Sequence, residues 1–179
     1  MGVIETARLD LIPATSETTR AALIGRQALA QALALQVSES WPPDLLDDSA
    51  LVYMRDKLEL GPEHAGWWLH FMVLRDGPGG GVVIGTAGYK GPPDPGDGTV
   101  EIGYSVVRDF QRRVFATETS RALVSWVFEL PEVRRVIAET LPGLMPSIGV
   151  LRKCGFRFIG DGSEPGVIRY ELTRHDVLR

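Results

Sequence analysis

The residues best suited to chemistry lie between 100 and 118, where a strand-like run, a basic loop and the start of a helix follow one another. A loop that leads into a helix N-terminus offers unpaired backbone N–H groups and the positive end of the helix dipole, which together suit a phosphate. Arg112 and Arg113 add charged donors beside that helix start. An exposed basic loop would have the same local sequence, so a phosphate site and a plain surface loop both stay open.

Other catalytic patterns are missing from the sequence. The three histidines (His64, His70 and His175) have no metal-ligand spacing, and we predict no metal site. There is no nucleophile elbow, and the glycine-rich run at residues 77–81 has no helix after it, so we interpret it as a turn. Cys154 is interpreted as a small buried hydrophobe rather than a nucleophile.

Composition narrows the class of protein. The chain has 179 residues, of which 44% are hydrophobic and 23% are charged, so we expect one folded domain over residues 1–179. A net charge of -4 argues against a nucleic-acid partner. One cysteine excludes an internal disulfide, and we see no targeting segment and no bilayer-spanning run. These features predict a cytoplasmic protein with no membrane partner.

The two halves of the chain have different patterns. Residues 8–13 resemble a first strand, and residues 21–37 and 44–60 are predicted helices, the former divided at Gly25. Strand-like runs at 67–75, 82–89 and 99–107 are separated by Gly/Pro-rich turns, which predicts an antiparallel meander. A helix at 116–128, a strand at 134–140, a short helix at 147–153 and strands at 156–160 and 167–172 follow. The pattern predicts an α/β (α+β) fold in which β-α-β-α-β closes the chain.

Short motifs in a fixed order carry a family resemblance. They are Thr-Ala-Arg-Leu at 6–9, Ile-Gly-Thr-Ala-Gly at 84–88, Val-Glu-Ile-Gly-Tyr at 100–104, Ala-Thr-Glu at 116–118, and Ser147, Leu151, Lys153, Gly155 and Phe156. In this order they resemble the GNAT superfamily of acyl-CoA-dependent N-acyltransferases, and most closely the branch of ribosomal-protein N-terminal acetyltransferases. The resemblance implies a mixed sheet of about seven strands with helices on both faces.

The resemblance also implies a cofactor site. In this family the strand ending near Val107 separates from the strand at 134–140, pantetheine lies in the gap, and the following loop wraps the pyrophosphate. The positions implied to bind acetyl-CoA are Val106, Val107, Gln111, Arg112, Arg113, Val114, Phe115, Ala116, Thr117 and Leu144. Three of them depart from the family pattern: Val114 and Arg112 replace loop glycines, and Leu144 replaces an asparagine. A β-branched valine is a poor substitute where glycine serves for positive φ.

Two residues are implied to do the chemistry. Glu101 is the candidate base for the attacking amine, with a solvated strand acid as the alternative. Ser147 is the candidate donor to the leaving thiolate, or else the N-cap of its helix. The N–H of Val106 or Val107 is expected to bind the developing oxyanion.

The acceptor side is predicted from aromatic residues. Trp41, Trp67, Trp68 and Tyr89 are candidates for an amine pocket, although their spacing also suits core packing. The resemblance implies transfer of an acetyl group to a small or peptide amine by direct attack in a ternary complex. The alternative is a catalytically silent GNAT-fold sensor or partner-binding protein, since the loop lacks its glycines. We expect a monomer or a homodimer.

Overall fold

The computed structural model describes residues 2–177, with the side chains of 62–64 and 78 left out. The strands are β1 Ile4–Glu5, β2 Leu9–Pro13, β3 Gln36–Val37, β4 Leu69–Leu74, β5 Val82–Tyr89, β6 Thr99–Val106, β7 Arg135–Thr140, β8 Arg157–Asp161 and β9 Ile168–Thr173. The helices are α1 Ser16–Ile24, α2 Arg26–Leu33, α3 Asp48–Leu60, α4 Phe115–Val127, α5 Met145–Lys153 and α6 Arg174–Val177. None of the helices within residues 2–177 has the length and apolar character needed to cross a bilayer.

One open sheet forms the centre of the fold. Its strand order is β1-β2-β4-β5-β6-β7-β9-β8, and β3 pairs beside β5. The meander β4-β5-β6 is antiparallel as predicted, and β6 and β7 are parallel, connected through α4. The sheet of residues 2–177 has nine strands rather than about seven, because β1 and β3 are two-residue strands too short to show a periodicity.

Helices cover both faces of the sheet, as the resemblance implies. The hydroxyl of Tyr104 in β6 reaches Ser147 in α5, and Tyr89 in β5 donates to the carbonyl of Leu123 in α4. Ser105, the next residue of β6, donates instead to the Asp44 carbonyl on the other face. Successive side chains of a strand point to opposite faces. We call the side covered by α4 and α5 the α4 face, and the side covered by α3 and residues 38–47 the α3 face.

Local signals set the helix boundaries in the first half. Gly25, at φ 135°, divides α1 from α2 as predicted. The third helix begins at Asp48 rather than at residue 44, because Asp47 caps it by accepting the Ala50 N–H at 2.8 Å. Leu45 is left-handed at φ 67° and lies outside the helix.

The strands β6 and β7 separate soon after they meet. They pair only at Thr99–Arg135, Val100–Val136 and Glu101–Ile137. Beyond that point β6 remains paired with β5 as far as Val106, and β7 remains paired with β9. A wedge-shaped gap therefore opens in the sheet between residues 102–106 and 138–140.

Candidate active site

Some backbone N–H and C=O groups of β6 point toward the gap between β6 and β7. The Val107 N–H donates to the Ile84 carbonyl at 2.9 Å, so it is not available to a ligand. Backbone groups alternate in direction along an antiparallel strand, which turns those of Tyr104 and Val106 away from β5 and toward the gap. The sequence predicted that the N–H of Val106 or Val107 would bind the oxyanion. The Val107 N–H is engaged with Ile84, so that choice is wrong, and the Val106 N–H remains the candidate donor. Across the gap, the buried hydroxyl of Thr140 has no hydrogen-bond partner among the described residues.

The loop after β6 takes up a shape that usually requires glycine. Arg112 has φ 59°, and Val114 has φ 70° and ψ 1°, so both lie in the left-handed region. These are the two loop positions at which the sequence departs from the family pattern. The loop therefore keeps the glycine conformation without the glycines, at a steric cost that is largest for the β-branched valine.

The same loop presents donors at the start of α4. The first turn of a helix has no intrahelical acceptors for its N–H groups, which here belong to Phe115, Ala116 and Thr117. The side chains of Phe115 and Thr117 are buried, so only their backbone can face a ligand. Arg112 and Arg113 are exposed and make no salt bridge within the described part of the chain. This arrangement suits a phosphate group.

Contacts from the N-terminal segment hold this loop in place. Arg8 forms a salt bridge with Glu118 at 2.7 Å, and its guanidinium donates to the Arg113 carbonyl at 3.1 Å. It also lies 4.2 Å from the centre of the Phe115 ring. Gln111 donates to the Val106 carbonyl at 2.9 Å, which ties the loop back to the end of β6. The predicted loop residues thus converge at the wide end of the gap.

The first turn of α5 lies opposite β6 on the α4 face. Leu144 occupies the N-cap position and offers no side-chain hydrogen bond there. Ser147 lies within the helix, so its alternative interpretation as an N-cap is wrong. The Tyr104 hydroxyl lies 3.4 Å from the Ser147 hydroxyl and 3.3 Å from its carbonyl. Burial raises the pKa of Tyr104 to about 12, although the hydrogen bond with Ser147 acts the other way, so the phenol remains a proton donor at neutral pH.

Tyr104 is a candidate site residue that the sequence did not reveal. It is the last residue of the motif at 100–104, and the resemblance implies no role for it. Alternation along β6 places it on the same face as Ile102 and Val106, which indicates burial and no more. Its contact with Ser147 spans 43 residues of sequence and could be seen only in the fold.

Glu101 lies on the α3 face, at the point where β6 and β7 last pair. Its carboxylate forms an ion pair with Lys90, and its side chain keeps 21% exposure. A cavity of about 500 Å³ opens beside it, lined by Lys90, residues 91–95, Asp97, Thr99, Arg135 and Ile137. The candidate base is thus accessible from the side of the sheet opposite Tyr104.

A second cavity adjoins the first along the α3 face. It has a volume of about 210 Å³, and Lys90 lines both cavities. Gly88 and Gly103, which face each other across β5 and β6, contribute no side chains to it. The larger side chains around it are those of Leu45, Leu46, Met54, Trp68 and Leu69.

The four predicted pocket aromatics separate into two groups. Trp41 packs against Phe71 in the core at a ring distance of 6.1 Å, and Tyr89 is fully buried with its hydroxyl bonded to Leu123. Trp67 packs against Tyr89 at 5.4 Å and is half-buried. For these three the structure supports the packing alternative, and their side chains are not placed to hold a substrate. Trp68, whose ring packs against Tyr53 of α3 at 6.0 Å, lines the cavity on the α3 face, which Tyr89 also borders.

Comparisons with known proteins agree with this geometry. Residues 8–157 match the family described as acetyltransferase (GNAT) domain. The FsC-acetyl coenzyme A-N(2)-transacetylase of Aspergillus fumigatus is 27% identical over 127 residues, which are 65% of this chain and 48% of that protein. The chain therefore spans about half the length of this curated relative.

Solved structures share the fold across the whole chain. An acetyltransferase (GNAT family) from Bacillus anthracis has a TM-score of 0.65 at 17% identity, covering 97% of this chain and 99% of that one. RimJ of Mycobacterium smegmatis, solved with CoA-disulfide, has a TM-score of 0.66 at 20% identity, with 96% and 84% covered. The family match over most of the sequence and the separated strands of the sheet lead to one assignment: the chain belongs to the GNAT family of acetyltransferases.

Proposed function

We propose that this protein is an acetyl-CoA-dependent N-acetyltransferase that transfers the acetyl group directly to a primary amine in a ternary complex. The observation that carries the proposal is the gap between β6 and β7, which leads to a loop held in the left-handed conformation before α4. This arrangement offers an extended strand edge to pantetheine and a set of N–H donors to the pyrophosphate.

The chain's own groups fit that substrate along its length. The backbone of Tyr104 can pair with a pantetheine amide as an added strand would, whereas the Val106 carbonyl already accepts from Gln111. Thr140, on the opposite wall, has a buried hydroxyl that lacks a partner among the described residues. The N–H groups that begin α4 would hold the pyrophosphate, and the exposed guanidinium groups of Arg112 and Arg113 would add charge-assisted hydrogen bonds.

The proposed chemistry uses both faces of β6. Glu101, on the α3 face, accepts a proton from the amine as nitrogen attacks the thioester carbonyl. The Val106 N–H stabilises the oxyanion that develops on the carbonyl oxygen. The C–S bond then breaks, and the Tyr104 hydroxyl, which Ser147 orients through their mutual contact, donates a hydrogen bond to the leaving thiolate. The thiolate takes its proton from water, and Glu101 releases the proton of the amine to water. Base and hydrogen-bond donor thus act from opposite sides of one strand.

The remaining features of the proposal follow the sequence expectations. The acceptor is a small or peptide amine that enters from the α3 face, where both cavities lie beside Lys90. The name of the fungal relative describes transfer from acetyl coenzyme A to a nitrogen, which supports the reaction class. We propose a cytoplasmic protein, monomeric or homodimeric, that uses no metal.

The test begins with cofactor binding. A ligand at 100 times its Kd adds about 2.7 kcal/mol to the free energy of unfolding, which for this size of chain raises Tm by roughly 5–11 °C. We expect that increase with acetyl-CoA and with CoA, followed by release of free thiol when an amine is added. Absence of any shift at millimolar acetyl-CoA would contradict the proposal and favour the silent GNAT-fold alternative, which the missing loop glycines also suggest.

A further inference from the structure

The smaller cavity on the α3 face is mostly apolar. Leucine, methionine and tryptophan side chains surround it, and its volume of about 210 Å³ has room for roughly seven groups of the size of a water molecule, which occupies about 30 Å³ in the liquid. No carboxylate lines it. The ligand portion that fits there is a single branched aliphatic or aromatic group.

Glycine at position 103 keeps this cavity open. A Cβ built on Gly103 would meet no atom within 4 Å, so the space beside it is unfilled. Gly103 and Glu101 are two residues apart on one strand and share a face, which separates them by about 7 Å. An amine at Glu101 and an apolar group beside Gly103 can therefore belong to one small molecule that spans this distance.

A hydrogen-bond donor in the cavity wall lacks an acceptor. Trp68 is 7% exposed, and its indole N–H has no partner among the described residues. A buried donor without an acceptor is unfavourable, and most are satisfied by protein, water or ligand. Indole nitrogen only donates, so a neutral oxygen on a ligand in the cavity is an acceptor that would satisfy it.

The carboxylates near the cavities lie outside the apolar one. Glu101 pairs with Lys90, and Asp97 pairs with Arg135 at 2.8 Å. Asp94 lines the larger cavity and accepts backbone N–H bonds from Gly96 and Asp97 on one carboxylate oxygen, at 2.8 and 3.2 Å. Within the part of the chain that the structure describes, the smaller cavity therefore offers no anionic group to a second ammonium, which a polyamine or an aminoglycoside would bring.

We propose that the acceptor is a monoamine that carries one apolar group of about seven non-hydrogen atoms and one neutral hydrogen-bond-accepting oxygen. The apolar group occupies the cavity beside Gly103, the oxygen accepts from the Trp68 indole, and the amine lies at Glu101. This inference rests on the proposed function for its chemistry, and on the cavity alone for its binding.

Four amines that differ in these features test the proposed acceptor. Phenylalaninamide has the amine, the apolar group and the oxygen; phenethylamine lacks the oxygen; glycinamide lacks the apolar group; and spermidine is a polycation with neither. With saturating acetyl-CoA, we expect kcat/KM for phenylalaninamide to exceed that for glycinamide at least tenfold, with phenethylamine between them and spermidine lowest. A preference for spermidine or glycinamide would overturn the proposal and leave the acetyltransferase function standing.

Two variants test the hydrogen bond from Trp68 and the cavity beside Gly103. Trp68→Phe removes the indole N–H and keeps an aromatic ring, so kcat/KM should fall five- to tenfold for phenylalaninamide and stay unchanged for phenethylamine. Gly103→Val fills the cavity and should remove the advantage of phenylalaninamide over glycinamide. Trp126→Phe is the matched control, because that tryptophan packs against Tyr89 and Trp67 on the α4 face. Equal losses for all amines in Trp68→Phe would contradict the hydrogen bond.

A binding readout separates the two proposals. Phenylalaninamide is titrated calorimetrically into the protein with CoA bound and without it. Binding that Gly103→Val weakens at least tenfold supports the cavity assignment even where no thiol is released. Lack of phenylalaninamide binding in either state overturns the acceptor assignment, whereas lack of an acetyl-CoA shift alone counts against the proposed function.

Discussion

Val114→Gly tests whether the loop before α4 carries the strain that its backbone angles indicate. An L-residue in the left-handed region costs about 1–2 kcal/mol, and a β-branched side chain lies at the upper end of that range. Glycine removes that cost. It also destabilises the folded state by about 1 kcal/mol, because a glycine in the unfolded chain has more conformational entropy to lose on folding. Val114 is 57% exposed, so little packing is lost with its side chain. The expected net gain is about 1 kcal/mol in the free energy of unfolding, or roughly 2–4 °C in Tm.

The measurement is a thermal or urea melt of the ligand-free protein. Val114→Ala is the matched control, because it removes the branch and keeps the Cβ that clashes at φ 70°. Glycine should therefore stabilise the protein more than alanine does. A Tm for Val114→Gly at or below that of Val114→Ala would refute the argument, since it would mean that no left-handed strain is relieved.

The same variant addresses cofactor affinity. Valine already occupies the left-handed conformation at position 114, so glycine has little backbone rearrangement left to save on binding. We therefore expect the Kd for acetyl-CoA to change less than about threefold, while stability rises. A tenfold tighter Kd would show that valine had held the loop away from its binding shape, as the sequence alone suggested.

Three further outcomes follow from the site and the core. Glu101→Gln should lower kcat at least 100-fold at neutral pH, with the Kd for acetyl-CoA unchanged; lost affinity would make Glu101 structural. Tyr104→Phe and Ser147→Ala should each lower kcat about tenfold, and the double variant should lose much less than 100-fold, because one contact links them. Burial lowers the pKa of His70 to about 4, below the usual 6.5, so the unfolded chain takes up the proton first as pH falls. The free energy of unfolding should thus decrease by up to about 1.4 kcal/mol per pH unit from pH 6.5 to 4 in urea melts, and His70→Phe should flatten that slope.

Regular strands and turns were the predictable part of the fold. The Gly/Pro-rich turns marked the meander, and the basic loop marked the start of α4. The predicted start of α3 at residue 44 was too early because Leu45 fits an apolar helical spacing, although it lies outside the helix and lines a cavity instead. The placement of β9 between β7 and β8 depends on pairing between distant strands, which periodicity does not encode.

The site was predictable in its motifs and not in its contacts. A shift of one residue decides that Val107 pairs with β5 and Val106 faces the gap. The same shift separates Trp67, packed on the α4 side, from Trp68, beside the cavity. The ion pair of Glu101 with Lys90 crosses a hairpin whose register the sequence did not determine. The sequence thus predicted which residue types the site contains. The direction in which each side chain points could be read only from the three-dimensional structure.

The short contact between β6 and β7 also has a mechanical consequence. Strands β1 to β6 form one continuously paired part of the sheet, and strands β7 to β9 form another. Within the sheet, three residue pairs between β6 and β7 join the two parts. In the proposed function, acetyl-CoA would bridge the gap and supply the missing pairing between the two groups of strands, which would stiffen the sheet. Each departure of spent CoA would then return the protein to its softer form, and the elastic stiffness of the sheet would rise and fall once in every catalytic cycle.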